Sequence, residues 1–149
     1  MSSCKNETIG RLIYKTSLNL RNYAEQMLSP YGLTVEQFHI LKNASMNLGL
    51  SQNQLCEQVG KKPANITRIL DRLEKKEWIE RRPNPNDRRS SLVFLTDEGE
   101  RIIGEVSNKL EEYSSWFIKG ISSEEEQCFR KVLAKIDDNI TVLMNEIER

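Results

Sequence analysis

The stretch LSQNQLCEQVGKKPANITRILDRLEKKEWIERRPNPNDRRSSLVFLTDEG, residues 50–99, encodes two short helices around a tight turn and then two strand-like runs. Ser51 reads as an N-cap with Gln54 three residues on, a pair that satisfies two orphan backbone donors reciprocally. Leu55, Cys56 and Val59 are the apolar side of this first helix, and Gly60 suits the left-handed residue that ends it. Pro63 falls in the first turn of the next helix, where its missing N–H costs nothing. Ile66, Ile69, Leu70 and Leu73 give that helix a buried stripe to about Lys76. The period then changes. Residues 78–82 are a short strand, Pro83, Asn84, Pro85, Asn86 and Asp87 are turn formers, and residues 91–95 are a compact β-type run. The spacing predicts a hairpin whose polar loop is longer than the tightest turns.

Upstream, residues 7–28 carry Ile9, Leu12, Ile13, Leu20, Tyr23, Met27 and Leu28, mostly at helical spacing, and Ser29-Pro30 and Gly32 stop the helix. Thr34 with Gln37 is a second capping box, opening a helix with Phe38, Ile40, Leu41 and Ala44 on its apolar side. Downstream, Thr96 caps a long helix to about residue 119, with Asp97 and Glu98 at its positive end. Ser122 or Ser123 caps the last helix, whose stripe runs from Phe129 to Ile147. The fold class is therefore mainly α with a small β-hairpin wing, within one domain spanning 1–149. A winged helix-turn-helix lobe occupies 34–95. The helices at 7–28 and 97–148 bear apolar stripes that one small lobe cannot bury, which predicts a homodimer.

The chain has 22 basic and 22 acidic residues, but they are unevenly placed. Residues 51–95 hold ten Lys/Arg against six Asp/Glu, a net of +4, whereas residues 97–149 hold seven against thirteen, a net of −6. Phosphate attraction follows the local patch, so the middle segment is where a nucleic acid would be met. No stretch approaches the roughly 20 apolar residues of a membrane helix, and the start, MSSCKNETIG, lacks an apolar signal core. Cys4, Cys56 and Cys128 are odd in number and widely spaced, which suits reduced thiols and a cytoplasmic location. One histidine, His39, excludes a His-rich metal site; neither a metal nor a cofactor is expected.

The two short helices meet at Val59-Gly60 as a helix-turn-helix, in which the first turns of the second helix enter the major groove. Groove reading needs small or polar side chains with an arginine or asparagine for base edges. Lys62, Pro63, Ala64, Asn65, Thr67 and Arg68 occupy those turns. Ser51, Gln52, Lys61, Arg72 and Arg81 are candidate phosphate contacts. The hairpin loop places Asp87, Arg88 and Arg89 at a tip suited to a minor groove. The expected partner is double-stranded DNA, read as a pseudo-palindrome with half-sites about one helical turn apart.

The quoted run resembles the DNA-binding lobe of the multiple-antibiotic-resistance regulator (MarR) family. LTVEQFHIL, residues 33–41, resembles the helix after the family's dimerisation helix, and LTDEGERII, residues 95–103, resembles the start of its penultimate long helix. The most specific element is the wing motif Asp87-Arg88-Arg89-Ser90 between its two strands. The resemblance implies a transcriptional regulator, by expectation a repressor, built as a triangular dimer whose first and last two helices interlock. It implies that Arg89 enters the minor groove, that Asp87 holds it through an ion pair, and that Asn65, Thr67 and Arg68 lie in the major groove.

The resemblance also implies an effector site for small aromatic or phenolic anions between the two lobes. Tyr14, Tyr31, Phe38 and His39 are the candidate lining, with Tyr23 and Trp116 as further aromatic residues. Some relatives sense oxidants through a cysteine of the first helix, but Cys4 precedes that helix, and Cys56 and Cys128 fall on apolar faces. A thiol-based redox regulator and a winged-helix module that binds protein instead of DNA are the alternatives. No phosphate loop, glycine-rich dinucleotide turn or nucleophile–base pair points to an enzyme.

Overall fold

The computed structural model describes residues 7–148. The N-terminal cysteine, Cys4, lies outside them. The order is α1 (Ile9–Leu28), a single 3-10 turn (Ser29–Tyr31), α2 (Val35–Met46), β1 (Leu50–Ser51), α3 (Gln52–Val59), α4 (Pro63–Lys75), β2 (Ile79–Asn84), β3 (Asp87–Leu95), α5 (Asp97–Phe117) and α6 (Ser123–Ile147). The backbone divides into two compact units, one up to Leu110 and one from Glu111, so α5 belongs partly to each.

Helix starts follow local chemistry. Thr8 caps α1, accepting from the Arg11 N–H at 3.3 Å, so this helix begins at Ile9, two residues after the expected start at residue 7. Thr34 with Gln37, Ser51 with Gln54 and Ser122 with Glu125 all close as reciprocal capping boxes. Gly60 ends α3 in the left-handed region at φ 66°, which glycine adopts without a Cβ penalty.

In the first unit, Leu28, Ile40, Leu41, Leu55, Ile66, Leu70, Leu73, Ile79, Val93, Ile103 and Val106 form one buried cluster, drawing on α1 through α5. Each such side chain removed from water stabilises the fold by about 1.5–3 kcal/mol. This core holds α4 by its Ile66–Leu70–Leu73 stripe and leaves its opposite face to solvent. At Gly99 the α5 backbone comes so close to β2 that an added Cβ would sit 2.0 Å from the Trp78 carbonyl oxygen. Thr96 completes that junction, its hydroxyl donating to the Glu77 carbonyl at 2.6 Å and accepting from the Gly99 N–H at 3.1 Å.

The sheet differs from the predicted hairpin in two ways. It has three antiparallel strands in the order β1-β3-β2, because Leu50 and Ser51 pair with Val93 and Leu92. Two residues carry no alternation, so β1 had no readable signal. The strands also run further than expected, leaving only Pro85 and Asn86 as the turn, with Pro83 and Asn84 inside β2 and Arg88 and Arg89 inside β3. Proline is tolerated there because β2 is an edge strand.

In the second unit α6 has no buried residue among those described. Phe129, Val132, Ile140, Leu143, Met144 and Ile147 are all exposed, and in the first unit Ile9, Ile13, Tyr14, Leu18 and Leu20 are exposed along α1.

Candidate nucleic-acid interface

The helix-turn-helix is tied together by side chains. Gln52, in the first turn of α3, donates from Nε2 to the Thr67 hydroxyl at 2.5 Å and to the Pro63 carbonyl at 3.2 Å. Thr67 in turn donates to the Pro63 carbonyl at 3.0 Å. Gln52, expected at a phosphate, and Thr67, expected at a base, are thus both engaged in seating α4 on α3. Ser51 likewise uses its hydroxyl as the α3 cap, accepting from the Gln54 N–H at 3.2 Å.

Lys62, Pro63, Ala64, Asn65 and Arg68 remain exposed on the outer face of α4, with Arg72 one turn beyond Arg68. Among the described residues, the side chains of Arg68 and Arg72 make no hydrogen bond or ion pair. A groove of about 330 Å³ between the starts of α2 and α4 is lined by Thr34, Glu36, Lys61, Asn65, Arg68 and Arg72. Glu36 anchors its floor, 2.7 Å from Arg21 of α1 and 3.7 Å from Lys61. Burial alone would raise the Glu36 carboxyl, but hydrogen bonds from Arg21 and the backbone and the charges of Arg21 and Lys61 outweigh it and hold it below the usual range. Glu36 had no sequence signal beyond an acidic residue in a helix's first turn.

On the wing, Pro83 pairs with Ser91 but Asn84 pairs with Asp87, so Arg88, Arg89 and Ser90 have no partner across the ladder. A bulge of this kind re-aims side chains, and Arg88 and Arg89 stand exposed on it. The Asp87 carboxylate accepts the Arg89 backbone N–H at 2.9 Å, closing the local turn of its own strand, and is not paired with the Arg89 guanidinium in the structure without DNA. Arg89 lines a polar groove of about 520 Å³ between the start of α3 and the wing, together with Ser51, Gln52, Asn84 and Ser90.

Arg81 is not free for a phosphate. Its guanidinium lies 2.7 Å from Asp71 and 2.5 Å from Glu74, clasping β2 to α4, and its side chain is 26% exposed. The hydrogen bond from Arg81 is the main cause that holds the Glu74 carboxyl below its ordinary value. Its neighbour Arg82 lies over the Phe94 ring at 4.4 Å.

The four aromatic candidates for an effector site differ in their surroundings, although the Phe38 and His39 rings lie 5.9 Å apart. Tyr31 and Phe38 pack on the core cluster and Tyr14 is 64% exposed on α1. His39 lines a groove between α1 and α2 with Leu18, Leu20, Arg21 and Val35. Among the described residues, no three His, Cys, Asp or Glu side chains are grouped to hold a metal, and no helix is long and apolar enough to cross a membrane.

The sequence pattern of the MarR family matches residues 33–91, the span from α2 through the wing. The multiple antibiotic resistance protein MarR of Salmonella typhimurium is 32% identical over 86% of this chain and 90% of its own length. This chain belongs to the MarR family. The transcriptional regulator BilQ of Clostridioides difficile is 29% identical over 94% of the chain and 95% of its own length. Among solved structures, a cysteine-to-serine variant of Escherichia coli MarR complexed with operator DNA matches with a TM-score of 0.80 and 29% identity, covering 86% of this chain and 92% of that one. MarR-family proteins are DNA-binding transcriptional regulators, not enzymes. In this MarR-family chain the winged helix leaves the outer face of α4 and the β2–β3 bulge exposed.

Proposed function

We propose that this chain is a cytoplasmic, homodimeric repressor that reads a pseudo-palindromic operator. The observation that carries this reading is the unpaired Arg68 on the exposed face of a helix whose other face is locked into the core, with Arg89 raised on a bulge beside it. Asn65 and Arg68 read base edges in the major groove, while Lys61, Lys62 and Arg72 approach phosphates. Arg89 and Arg88 reach the flanking minor groove, where a narrow A·T tract concentrates negative potential.

The exposed apolar faces of α1 and α6 support the dimer, because large uncovered apolar surfaces mark interaction sites. Two-fold symmetry then places half-sites about one helical turn apart. A small aromatic or anionic effector that releases the DNA belongs to the same reading. The groove holding His39 and Arg21, about 430 Å³, is its candidate seat.

Selection of bound sites from a random duplex pool tests the reading, with sedimentation of the free protein beside it. The expected result is an inverted repeat bound by a dimer at micromolar concentration. A stable monomer, or a selected pool without a shared sequence, refutes it.

A further inference from the structure

The three-residue bulge that carries Arg89 is bridged from the opposite strand by the Asn84 side chain. Its Nδ2 donates to the Ser90 hydroxyl at 2.9 Å, across the mouth of the bulge. Its Oδ1 accepts the Asn86 backbone N–H at 3.0 Å, within the turn. Ser90 also donates to the Asp87 carbonyl at 3.4 Å, and Asp87 accepts the Arg89 N–H. Asn84 is half-buried, whereas Arg88 and Arg89 on the bulge are exposed. Residues 88–90 lack the ladder hydrogen bonds that order the rest of β3, so side chains must supply the order. From Asn84 and Ser90, flanking Arg89 on both sides, we infer that the Asn84–Ser90 hydrogen bond is the latch that aims Arg89 at DNA, making Asn84 a positioning residue for the wing.

The physical reason lies in entropy. A long arginine on an unpaired segment samples many directions, and each must be given up on entering a narrow groove. A latch that fixes the backbone beneath Arg89 removes part of that cost before binding. An asparagine suits the position because its amide offers a donor and an acceptor in fixed opposition, one for each side of the turn. Aspartate there would keep the acceptor and lose the donor.

The inference rests on the proposed contact of Arg89 with DNA, so the test separates the two. The probe is a duplex recovered by the full-length wild-type chain from a random pool, made with A·T flanks and again with G·C flanks. Affinities are measured for wild type, N84A, S90A, R89A and the double variant N84A/R89A. We expect N84A and S90A each to weaken binding to the A·T-flanked duplex about fivefold, the worth of one neutral hydrogen bond. The loss should be smaller on G·C flanks, and N84A should have no further effect in the R89A background. A merely structural role would lower affinity on both flanks alike and add to R89A. S90A breaks the same bond while leaving the Asn84–Asn86 contact, so it decides the matter if N84A folds poorly. Wild-type affinity in R89A overturns the wing contact itself. A weakened R89A beside additive or flank-independent losses in N84A and S90A overturns only the latch.

Discussion

Gln52 and Thr67 are joined side chain to side chain, amide to hydroxyl at 2.5 Å, across fifteen positions of sequence. The contact fixes the first turn of α3 against the second turn of α4, and therefore the angle at which α4 leaves the core. Gln52→Ala should lower stability by about 1 kcal/mol and weaken binding on specific and unrelated duplexes alike, because it loosens α4 rather than removing a base contact. Thermal unfolding with a binding panel measures both. Unchanged stability and affinity would show that the apolar stripe seats α4 unaided.

Arg68 is the arginine on the early outer face of α4 that no partner holds. Arg68→Ala should weaken specific binding by roughly 1–3 kcal/mol and relax the preference at one position per half-site, the signature of a lost guanine edge contact. Repeating the site selection with the variant reads this directly. A uniform loss over all sequences would make Arg68 a phosphate clamp.

The wing makes a different forecast. Arg89→Ala should flatten the log–log salt dependence of binding by about one unit, with the melting temperature nearly unchanged. Arg89→Lys should restore only part of the affinity, since lysine is a strongly hydrated point charge without the planar fork. Asp87 accepts a backbone N–H here, so Asp87→Asn, which keeps an acceptor, should bind better than Asp87→Ala. Equal losses in the two Asp87 variants would instead favour an ion pair with Arg89 formed on DNA.

Arg81 separates stability from binding. Arg81 holds the Glu74 carboxyl below its reference value of 4.5 in the folded chain. A carboxyl depressed on folding adds stability above its unfolded pKa, and that stability is lost as pH falls through the folded value. Arg81→Gln should therefore lower stability near neutrality, by no more than about 1 kcal/mol for so exposed a pair, and the gap to wild type should close below pH 4.5. The salt slope of DNA binding should stay at the wild-type value. A slope reduced by one unit would return Arg81 to the phosphates.

Much of this protein was legible locally. Thr34 with Gln37 and Ser51 with Gln54 announce helix starts because a cap is satisfied within four residues, and Gly60 and Pro63 punctuate the turn for reasons of their own backbone. The Ile66–Leu70–Leu73 stripe states which side of α4 is buried, and so which side meets solvent. These are interactions over one or two helical turns, and the residue types alone determine them.

What only the tertiary structure decided is how the charged and polar residues are partnered. Gln52, Thr67 and Arg81 have the same chemistry as free DNA contacts, but each finds its partner on another element, ten to fifteen positions away for Thr67 and Asp71. Glu36 likewise meets Arg21 and Lys61 only once α1, α2 and the α3–α4 turn are assembled. The register that leaves Arg88, Arg89 and Ser90 unpaired depends on where β2 and β3 align, which turn-forming residues cannot specify by composition. Hydrophobic periodicity is a property of the chain and survives in the sequence. The pairing of long, flexible polar side chains depends on which elements the core brings together, and only the folded chain determines that.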